Sequence, residues 1–484
     1  MSENKDKKIE KKPSKIKKSF SSRIFKTGVY TTIISVMVIV IVVVLNMLIT
    51  KLDLTTDMSS GKIYSLSKET KDIIKNAKDK ITIYYMVTDG NEQENIYNAV
   101  KSYNKVDSNV KVEKKDPVIY PTFGEKLGID DEISDNDIIV YNENTKAVKY
   151  ISNAAMYFTA FSSSGDMSGE SLDVEGQVTA AIQYVLSSEH TKMYMLTGHG
   201  EVALEDSVIK DISKLNVDTD NLDLVTEGKV PDDCDILLMA GPTSDIKKTE
   251  YEEIKSYLKD GGDAIIFAEL TEENQENLGK LMKYYGVEVE KGFVGETAGK
   301  YYASPFMILP TVSDSGVLSK LAESDEYVYM FFAQNLKTTD EQLRSTLSIQ
   351  GLLSSSGKSF FRTDLNNSST EKTDDDKTGP FDVGLYVTDE AADDVTKIAI
   401  YSSAEMLSDK YIGLGNNKRV LTDTISSMTK SSVKETSISV KNLQEVQISV
   451  PVSSRVILAA LLIIILPATL LIMGFVVWGY RRRK

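Results

Sequence analysis

VPDDCDILLMAGPTSDIKKTEYEEIKSYLKDGGDAIIFAE, residues 230–269, contains two continuous apolar runs with a polar segment between them. The runs DILLMA (235–240) and AIIFAE (264–269) lack the alternation of a half-exposed strand. Continuous apolar runs of this length are typical of strands that are buried on both faces. We therefore expect two neighbouring strands of a parallel sheet at these positions.

The segment between the two runs has the signals of a helix. Thr249 and Glu252 have the spacing of a capping box, which predicts that the helix begins there. Gly261 and Gly262 follow the last apolar position and predict that it ends there. A strand, a helix and a second strand in this order predict a parallel pair with a crossover helix.

The same pattern continues on both sides of this unit. A strand is predicted at 193–196, and apolar residues recur at helical spacing over 205–215 and 275–285. Strands that alternate with helices predict a parallel, doubly wound sheet over about 190–290. The fold class is therefore α/β.

Glycine-containing turns follow two of these strands. In doubly wound folds, ligands bind at the carboxyl ends of the strands, and glycine lets a ligand approach the backbone closely. The candidate ligand-binding residues are Thr197, Gly198, His199, Gly200, Glu201, Gly241 and Pro242.

His199 is the most distinctive of these candidates because the chain has only two histidines. With Glu201 it forms the best pair for acid–base chemistry, but two glycines around a histidine are also typical of a tight structural turn. No serine or cysteine nucleophile can be identified near it. Cys234, the only cysteine, precedes a strand rather than occupying a nucleophile elbow, and is interpreted as structural.

A separate small domain is predicted over 51–160. Its pattern is a strand (81–87), a helix (91–106) and a strand (109–117), followed by the two short strands of a β-hairpin within 137–151. This order is typical of a thioredoxin-like domain, and the absence of Cys-x-x-Cys excludes thiol redox chemistry. The larger α/β domain is predicted over 175–445, with flexible loops at 161–169 and 366–380.

Two apolar runs predict transmembrane helices. Residues 29–49 and 456–478 contain 21 and 23 residues without a charge, and a helix needs roughly 20 to cross a bilayer. Their outer flanks, the basic tails 1–28 and 479–484, predict two cytoplasmic termini. We expect a two-pass protein of the cell membrane that contacts membrane lipid and has a large extracytoplasmic domain.

Composition and motifs exclude several classes of function. The formal net charge is −15 although both ends are basic, so the central part is strongly acidic and should repel nucleic acid. Two histidines and one cysteine are too few for a usual zinc site, and no cofactor is indicated. The segment 351–359 has five residues between its glycines, whereas a phosphate-binding loop needs four.

The chain resembles the GldG-like family, the gliding-motility-associated auxiliary components of ABC transporters. The resemblance rests on MYMLTGHGE (193–201) and on the quoted stretch 230–269, and it extends to segments near residues 52–70 and 397–428. It implies a fold like that of class I glutamine amidotransferases without their cysteine nucleophile. The chain departs from the family at Ala268-Glu269-Leu270, where such proteins commonly carry Asp-Pro.

The resemblance also implies a function and partners. The expected role is that of a non-enzymatic accessory subunit of an ABC-2-type transport system, with an ABC permease and a cytoplasmic ATPase as partners. One alternative is a hydrolase of envelope sugars that uses His199 and Glu201 as acid–base groups. A second alternative is a surface sensor or scaffold.

Overall fold

The computed structural model describes residues 23–51, 62–129, 131–161, 167–297, 299–339, 344–365, 369–430, 438, 440–442, 463–464 and 466–482. The chain divides into two compact units. One unit contains Met1–Met58 and Ile448–Lys484, and the other contains Ser59–Gln447. Most of the predicted amino-terminal tail lies outside the described residues.

The first unit contains the helices Arg23–Lys51 and Leu466–Arg482. The first helix includes the apolar run 29–49, whereas much of the run 456–478 before Leu466 lies outside the described residues. Over the part of the chain that the structure describes, no helix is both long and apolar enough to cross a bilayer. The two transmembrane segments therefore stay predictions.

The second unit contains 22 strands and ten α-helices within its described part. The α-helices are Lys68–Asn76, Glu94–Lys101, Phe123–Lys126, Val174–Leu186, Asp206–Lys214, Leu224–Glu227, Lys248–Lys259, Glu276–Tyr284, Ser319–Ala322 and Asn417–Met428. The strands are β1 (Ile81–Met86), β2 (Val110–Lys115), β3 (Ile138–Asn142), β4 (Val148–Ile151), β5 (Tyr157–Phe161), β6 (Met167–Leu172), β7 (Thr191–Leu196), β8 (Val217–Leu222), β9 (Ile236–Ala240), β10 (Asp263–Phe267), β11 (Val287–Glu290), β12 (Phe293–Gly295), β13 (Met307–Ile308), β14 (Thr311–Val312), β15 (Met330–Phe331), β16 (Asn335–Thr338), β17 (Leu347–Ser354), β18 (Phe360–Arg362), β19 (Lys377–Thr378), β20 (Asp382–Asp389), β21 (Thr396–Tyr401) and β22 (Lys441–Asn442).

The strands predicted for the small domain form one sheet of order β2-β1-β3-β4. β1 and β2 are parallel, whereas β3 is antiparallel to both β1 and β4. The helix Val174–Leu186 belongs to the same core, because Val178, Ile182 and Val185 are buried with the residues of this sheet. The core of the small domain thus continues past the expected end at residue 160.

The largest sheet is built on the predicted parallel strands. Its order is β11-β16-β20-β21-β10-β9-β7-β8, with β17 paired to β20 and β14 paired to β17. The five strands β21, β10, β9, β7 and β8 are parallel, and the remaining pairs are antiparallel. Since β7 is the first of the parallel strands along the chain and lies between β8 and β9, the strand order reverses between β7 and β9.

Both faces of the parallel strands are covered. Along β9, Leu238 packs in one core and its neighbours Leu237 and Met239 pack in another, as the two-residue repeat of a strand requires. Helices lie on both faces: Asp206–Lys214 and Asn417–Met428 on one, Lys248–Lys259 and Glu276–Tyr284 on the other. The doubly wound arrangement predicted over 190–290 is therefore observed, with antiparallel strands added at one side.

One expectation from the sequence changes in the structure, and one exclusion is supported by it. The segment 161–169 contains the end of β5 and the start of β6, which pair as an antiparallel hairpin around residues that are not described. Residues 351–359 contain the end of β17 and a turn before β18, so no helix follows the phosphate-loop-like sequence. The segment therefore lacks the helix amino terminus on which a phosphate-binding loop depends.

The predicted mobile loop 366–380 is held by an arginine in its described part. Arg362 in β18 is buried, and its Nη2 lies 2.7 Å from Asp376 Oδ2 and donates to Glu371 O at 2.7 Å. Hydrogen bonds from a guanidinium to a carboxylate are among the stronger ones in proteins. The segment 369–376 is therefore fixed to the strand that precedes it.

A buried carboxylate joins the two ends of the second unit. Glu175 accepts hydrogen bonds from Ser67 N at 2.5 Å and Thr70 Oγ1 at 2.7 Å, and its other oxygen lies 2.7 Å from Lys441 Nζ. Lys441 also donates to Ser65 O at 2.7 Å, and its strand β22 pairs with β6. One ion pair thus connects the beginning and the end of this unit.

The substitution Glu175→Gln is expected to lower the free energy of unfolding by about 2 kcal/mol at neutral pH. Burial raises the pKa of Glu175, but Lys441, Ser67 and Thr70 outweigh this and hold it below the ordinary 4.5. A lowered pKa stabilises the fold above the ordinary value, and this stabilisation is lost as the pH falls through the folded value. Urea unfolding at neutral and acidic pH, followed by circular dichroism, measures the difference.

The exposed pair Glu276 and Lys280 provides the matched control for this experiment. Glu276→Gln is expected to leave the unfolding midpoint unchanged, because exposed ion pairs contribute little. An effect of Glu175→Gln that is as large in acid as at neutral pH would contradict the role assigned to the pair.

Candidate functional site

The two predicted turns meet at the carboxyl ends of β7 and β9. The carbonyl oxygen of His199 accepts hydrogen bonds from Thr243 N at 2.8 Å and Ser244 N at 3.0 Å. Val202 N donates to Ala240 O at 2.8 Å, which adds a further bond between the two strand ends. The loops on either side of the point where the strand order reverses are therefore fastened to each other.

The structure brings most of the predicted site residues together. His199, Gly200 and Glu201 lie against the loop that begins with Gly241 and Pro242, and Gln275 donates to Pro242 O. Thr197 instead continues the ladder with β8, since its amide donates to Leu222 O at 2.9 Å. Gly198, with φ 110°, forms the exposed corner of the turn.

The imidazole of His199 lies between two carboxylates. Its Nδ1 is 3.0 Å from Glu201 Oε1, and its Nε2 is 3.1 Å from Glu250 Oε2. The Glu201 carboxylate also accepts the amide of His199 at 2.8 Å. All three side chains are buried, with 6% of His199, 6% of Glu201 and 2% of Glu250 exposed. Two buried acceptors favour an imidazole that donates from both nitrogens.

The electrostatics of the cluster agree with a protonated imidazole. The hydrogen bond to Glu201 raises the pKa of His199, burial opposes this, and Glu250 raises it further, so that the net shift is above the ordinary 6.5. A buried charge is tolerated when it is paired and hydrogen-bonded. Below this raised pKa, the cluster is an ion triplet of the imidazolium and its two carboxylate partners.

Glu250 is the residue that the sequence analysis missed. The helix begins at Lys248, so Glu250 is its third residue, and its Oε2 accepts the amide of Lys247 at 2.7 Å. The expected capping pair of Thr249 and Glu252 is therefore wrong, because the helix begins about half a turn earlier in the sequence. Glu250 Oε1 is buried and has no hydrogen-bond partner within the described residues.

Two glycines allow this close packing of the loops. Gly200 has φ 81°, and a Cβ there would collide with Thr243 Oγ1. Gly241 has φ 69°, and a Cβ there would collide with the side chain of Ala404. Both positions combine a left-handed backbone with a lack of space, so that glycine suits them better than any other residue.

A further carboxylate lies at the end of β10. Glu269 accepts the amide of Ala404 at 3.2 Å and approaches the Gly241 position. Burial raises the pKa of Glu269, the amide of Ala404 opposes this, and the charge of Glu405 raises it further, with a net increase. The departure from the family pattern at Ala268-Glu269-Leu270 weakens a ligand role for this strand end.

The arrangement is better suited to holding loops than to acid–base chemistry. Both nitrogens of His199 are engaged, and the hydroxyls of Thr243 and Ser244 donate to His199 O at 3.2 and 3.3 Å. The thiol of Cys234 is buried, and burial raises its pKa to about 11, which opposes nucleophilic reactivity. Among the described residues, no group of histidine, cysteine and acidic side chains is placed to hold a metal ion.

His199→Gln is expected to lower the free energy of unfolding by about 3 kcal/mol in mildly acidic buffer, because two buried carboxylates lose their cation. The folded pKa of His199 is raised, so its stabilisation is complete below 6.5 and is lost as the pH rises through the folded value. Denaturant unfolding at acidic and alkaline pH should show a large difference that shrinks with increasing pH.

The second histidine is the natural control. His190 is exposed and stacks on Tyr184 with ring centroids 4.0 Å apart. His190→Gln should leave the pH dependence unchanged and assign the two histidine resonances in an NMR titration. A His199 resonance that titrates at its ordinary value would refute the ion triplet.

Comparison with known proteins identifies two segments of the chain. Residues 190–305 match the family model described as an ABC-type uncharacterized transport system, and these residues include β7, β9, β10 and the His199 cluster. Residues 60–157 match the model of a domain of unknown function, DUF7088. A search of curated proteins finds no match.

Similar solved structures are remote. The mmIFT52 N-terminal domain is 16% identical with a TM-score of 0.37, and the match covers 50% of this chain and 100% of that one. PurLQS from Thermotoga maritima is 11% identical with a TM-score of 0.28, covering 50% and 100%. A putative GMP synthase protein from Thermoplasma acidophilum is 10% identical with a TM-score of 0.26, covering 50% and 96%.

The family match confirms the resemblance that the sequence indicated. It covers the turn Gly198–Glu201 and the whole of the quoted stretch 230–269, which are the segments on which that resemblance rests. Through residues 190–305, the chain is similar to the family described as an ABC-type uncharacterized transport system.

Proposed function

We propose that this chain is a membrane-anchored, non-enzymatic accessory subunit of an ABC-2-type transport system. It works with a separate ABC permease and a cytoplasmic ATPase. The observation that carries the proposal is that the matched segment 190–305 contains a sheet edge closed by the His199 triplet. An auxiliary role is what the family description supports, and a closed edge suits protein contact better than substrate turnover.

In this proposal, a separate ATPase binds and hydrolyses the nucleotide. The phosphate-loop-like segment 351–359 is a strand and a turn, and its spacing does not suit a nucleotide. Energy from ATP must then enter through a different protein of the complex. The acidic central part also makes a nucleic-acid partner unfavourable.

The finer assignment of the two folds is part of the same proposal. The order β2-β1-β3-β4, with one parallel and two antiparallel pairs, supports a thioredoxin-like small domain. The order β8-β7-β9-β10-β21, with helices on both faces, supports an amidotransferase-like large domain. Cys234 precedes β9, away from the closed carboxyl edge, as expected of a relative without a cysteine nucleophile.

Purification from native membranes in a mild detergent tests the partners. We expect a permease and an ATPase of the ABC class to elute with the chain in a fixed ratio, because an accessory protein of this kind acts only in its complex. An abundant two-span protein of the same membrane is the control for incidental recovery. Repeated recovery of the chain alone from cross-linked membranes would argue strongly against the proposal.

The competing hydrolase hypothesis makes a different prediction for the same complex. If His199 and Glu201 were acid–base groups, His199→Ala would abolish function while folding and complex assembly remained intact. In the accessory role, loss of the triplet loosens the joined loops, so that function should decline together with stability and assembly. Assembly and thermal stability are therefore measured on the same variant.

The membrane topology is predicted from the sequence alone and is tested by a separate experiment. In a Cys234→Ser background, Lys5→Cys and Asp374→Cys are treated on intact cells with a membrane-impermeant maleimide. We expect Asp374→Cys to react, since Asp374 is exposed on the large unit, and Lys5→Cys to react only after permeabilisation. The opposite pattern would reverse the predicted topology.

A further inference from the structure

The small domain carries an exposed apolar tip that its own fold does not use. Val118, Ile119 and Tyr120 follow β2 and are 76%, 67% and 53% exposed. Single exposed apolar residues are ordinary, but three consecutive ones on a soluble surface indicate a contact with something else. We define the apolar tip as residues 117–121, Pro-Val-Ile-Tyr-Pro.

The shape of this tip is fixed within the chain. Asp116 Oδ1 accepts the amides of Val118 at 2.8 Å and Ile119 at 3.1 Å, and Asp116 O accepts that of Tyr120 at 3.0 Å. A proline on each side restricts the backbone further. The tip is therefore presented in a set conformation, and binding would cost little ordering entropy.

The same bonds leave the tip without a free amide. Pro117 and Pro121 have no N–H, and the three amides between them are all bonded to Asp116. A segment that enters an apolar medium must satisfy its backbone donors internally, because lipid offers no hydrogen-bond partner. A protein partner that pairs with the main chain would find no donor here.

A cation lies at the base of the tip. The ammonium of Lys115 lies 3.8 Å from the ring centroid of Phe123, 4.9 Å from that of Tyr120 and 5.3 Å from that of Tyr84. Three rings that face one ammonium stabilise it by cation–π attraction, and no ion pair of Lys115 occurs within the described residues. The base of the tip thus carries the cation Lys115 and the anion Asp116, and the ammonium is the group suited to the phosphates of a lipid headgroup layer.

We propose that the apolar tip inserts into the interface of a lipid bilayer, with Val118 and Ile119 among the acyl chains. Tyr120 lies at the boundary, where an amphipathic ring is favoured, and Lys115 faces the headgroup phosphates. The contact is additional to the predicted membrane anchors, and it does not depend on the transport role.

Fluorescence of the full chain in vesicles tests this contact. A Cys234→Ser, Ile119→Cys protein labelled with a nitrobenzoxadiazole probe is incorporated into phosphatidylcholine vesicles that contain phosphatidylglycerol. The matched control is Val225→Cys, since Val225 is 54% exposed in the helix Leu224–Glu227 of the same unit. Flotation with the vesicles reports membrane anchoring separately from the probe signal.

The expected result is a blue-shifted Ile119 probe that brominated lipids quench several-fold more than the Val225 probe. Equal and weak quenching at both positions would overturn the proposal. A blue shift at Ile119 without quenching by brominated lipid would also overturn it, because protein would then cover the tip. Normal flotation with either negative result would leave the anchors intact and reject only the tip contact.

Discussion

The ion triplet of His199, Glu201 and Glu250 connects two elements of the site, and the backbone of His199 connects a third. Glu201 belongs to the turn after β7, and Glu250 belongs to the first turn of the helix Lys248–Lys259. The imidazole between them ties that turn to that helix, while the His199 carbonyl binds the loop after β9. One residue, through its side chain and its carbonyl, thereby holds these elements together at the carboxyl edge of the sheet.

This arrangement has consequences for what the edge can do. In doubly wound folds, the crevice where the strand order reverses is the usual ligand site. Here that crevice, between β7 and β9, is crossed by hydrogen bonds from Thr243 and Ser244 to His199. Gly200 and Gly241 provide the space that makes this possible. The edge has the strand order of a ligand-binding site, but hydrogen bonds between its own loops cross it.

Much of the fold could be predicted because burial leaves a clear pattern in the sequence. β9 and β10 lie inside the sheet, so their runs are apolar throughout and their positions follow directly. Among the described strands, β8 (VDTDNL) pairs only with β7, at the edge of the sheet, and its mostly polar sequence gives no such signal. The role of Glu250 could not be predicted, because it depends on where the helix begins and on a residue 51 positions away.

In the small domain, the segment after β2 differs from an ordinary polar surface turn. A polar turn would normally follow β2, yet its amides are satisfied by Asp116 and its surface is apolar. Both the closed edge at His199 and the apolar tip form hydrogen bonds within the chain, but with opposite results for the surface that they present. At the edge, polar groups are buried and most of them are paired with each other, which leaves few of them for a ligand. At the tip, they are paired so that apolar side chains can face outward, which prepares the surface for a medium without hydrogen bonds.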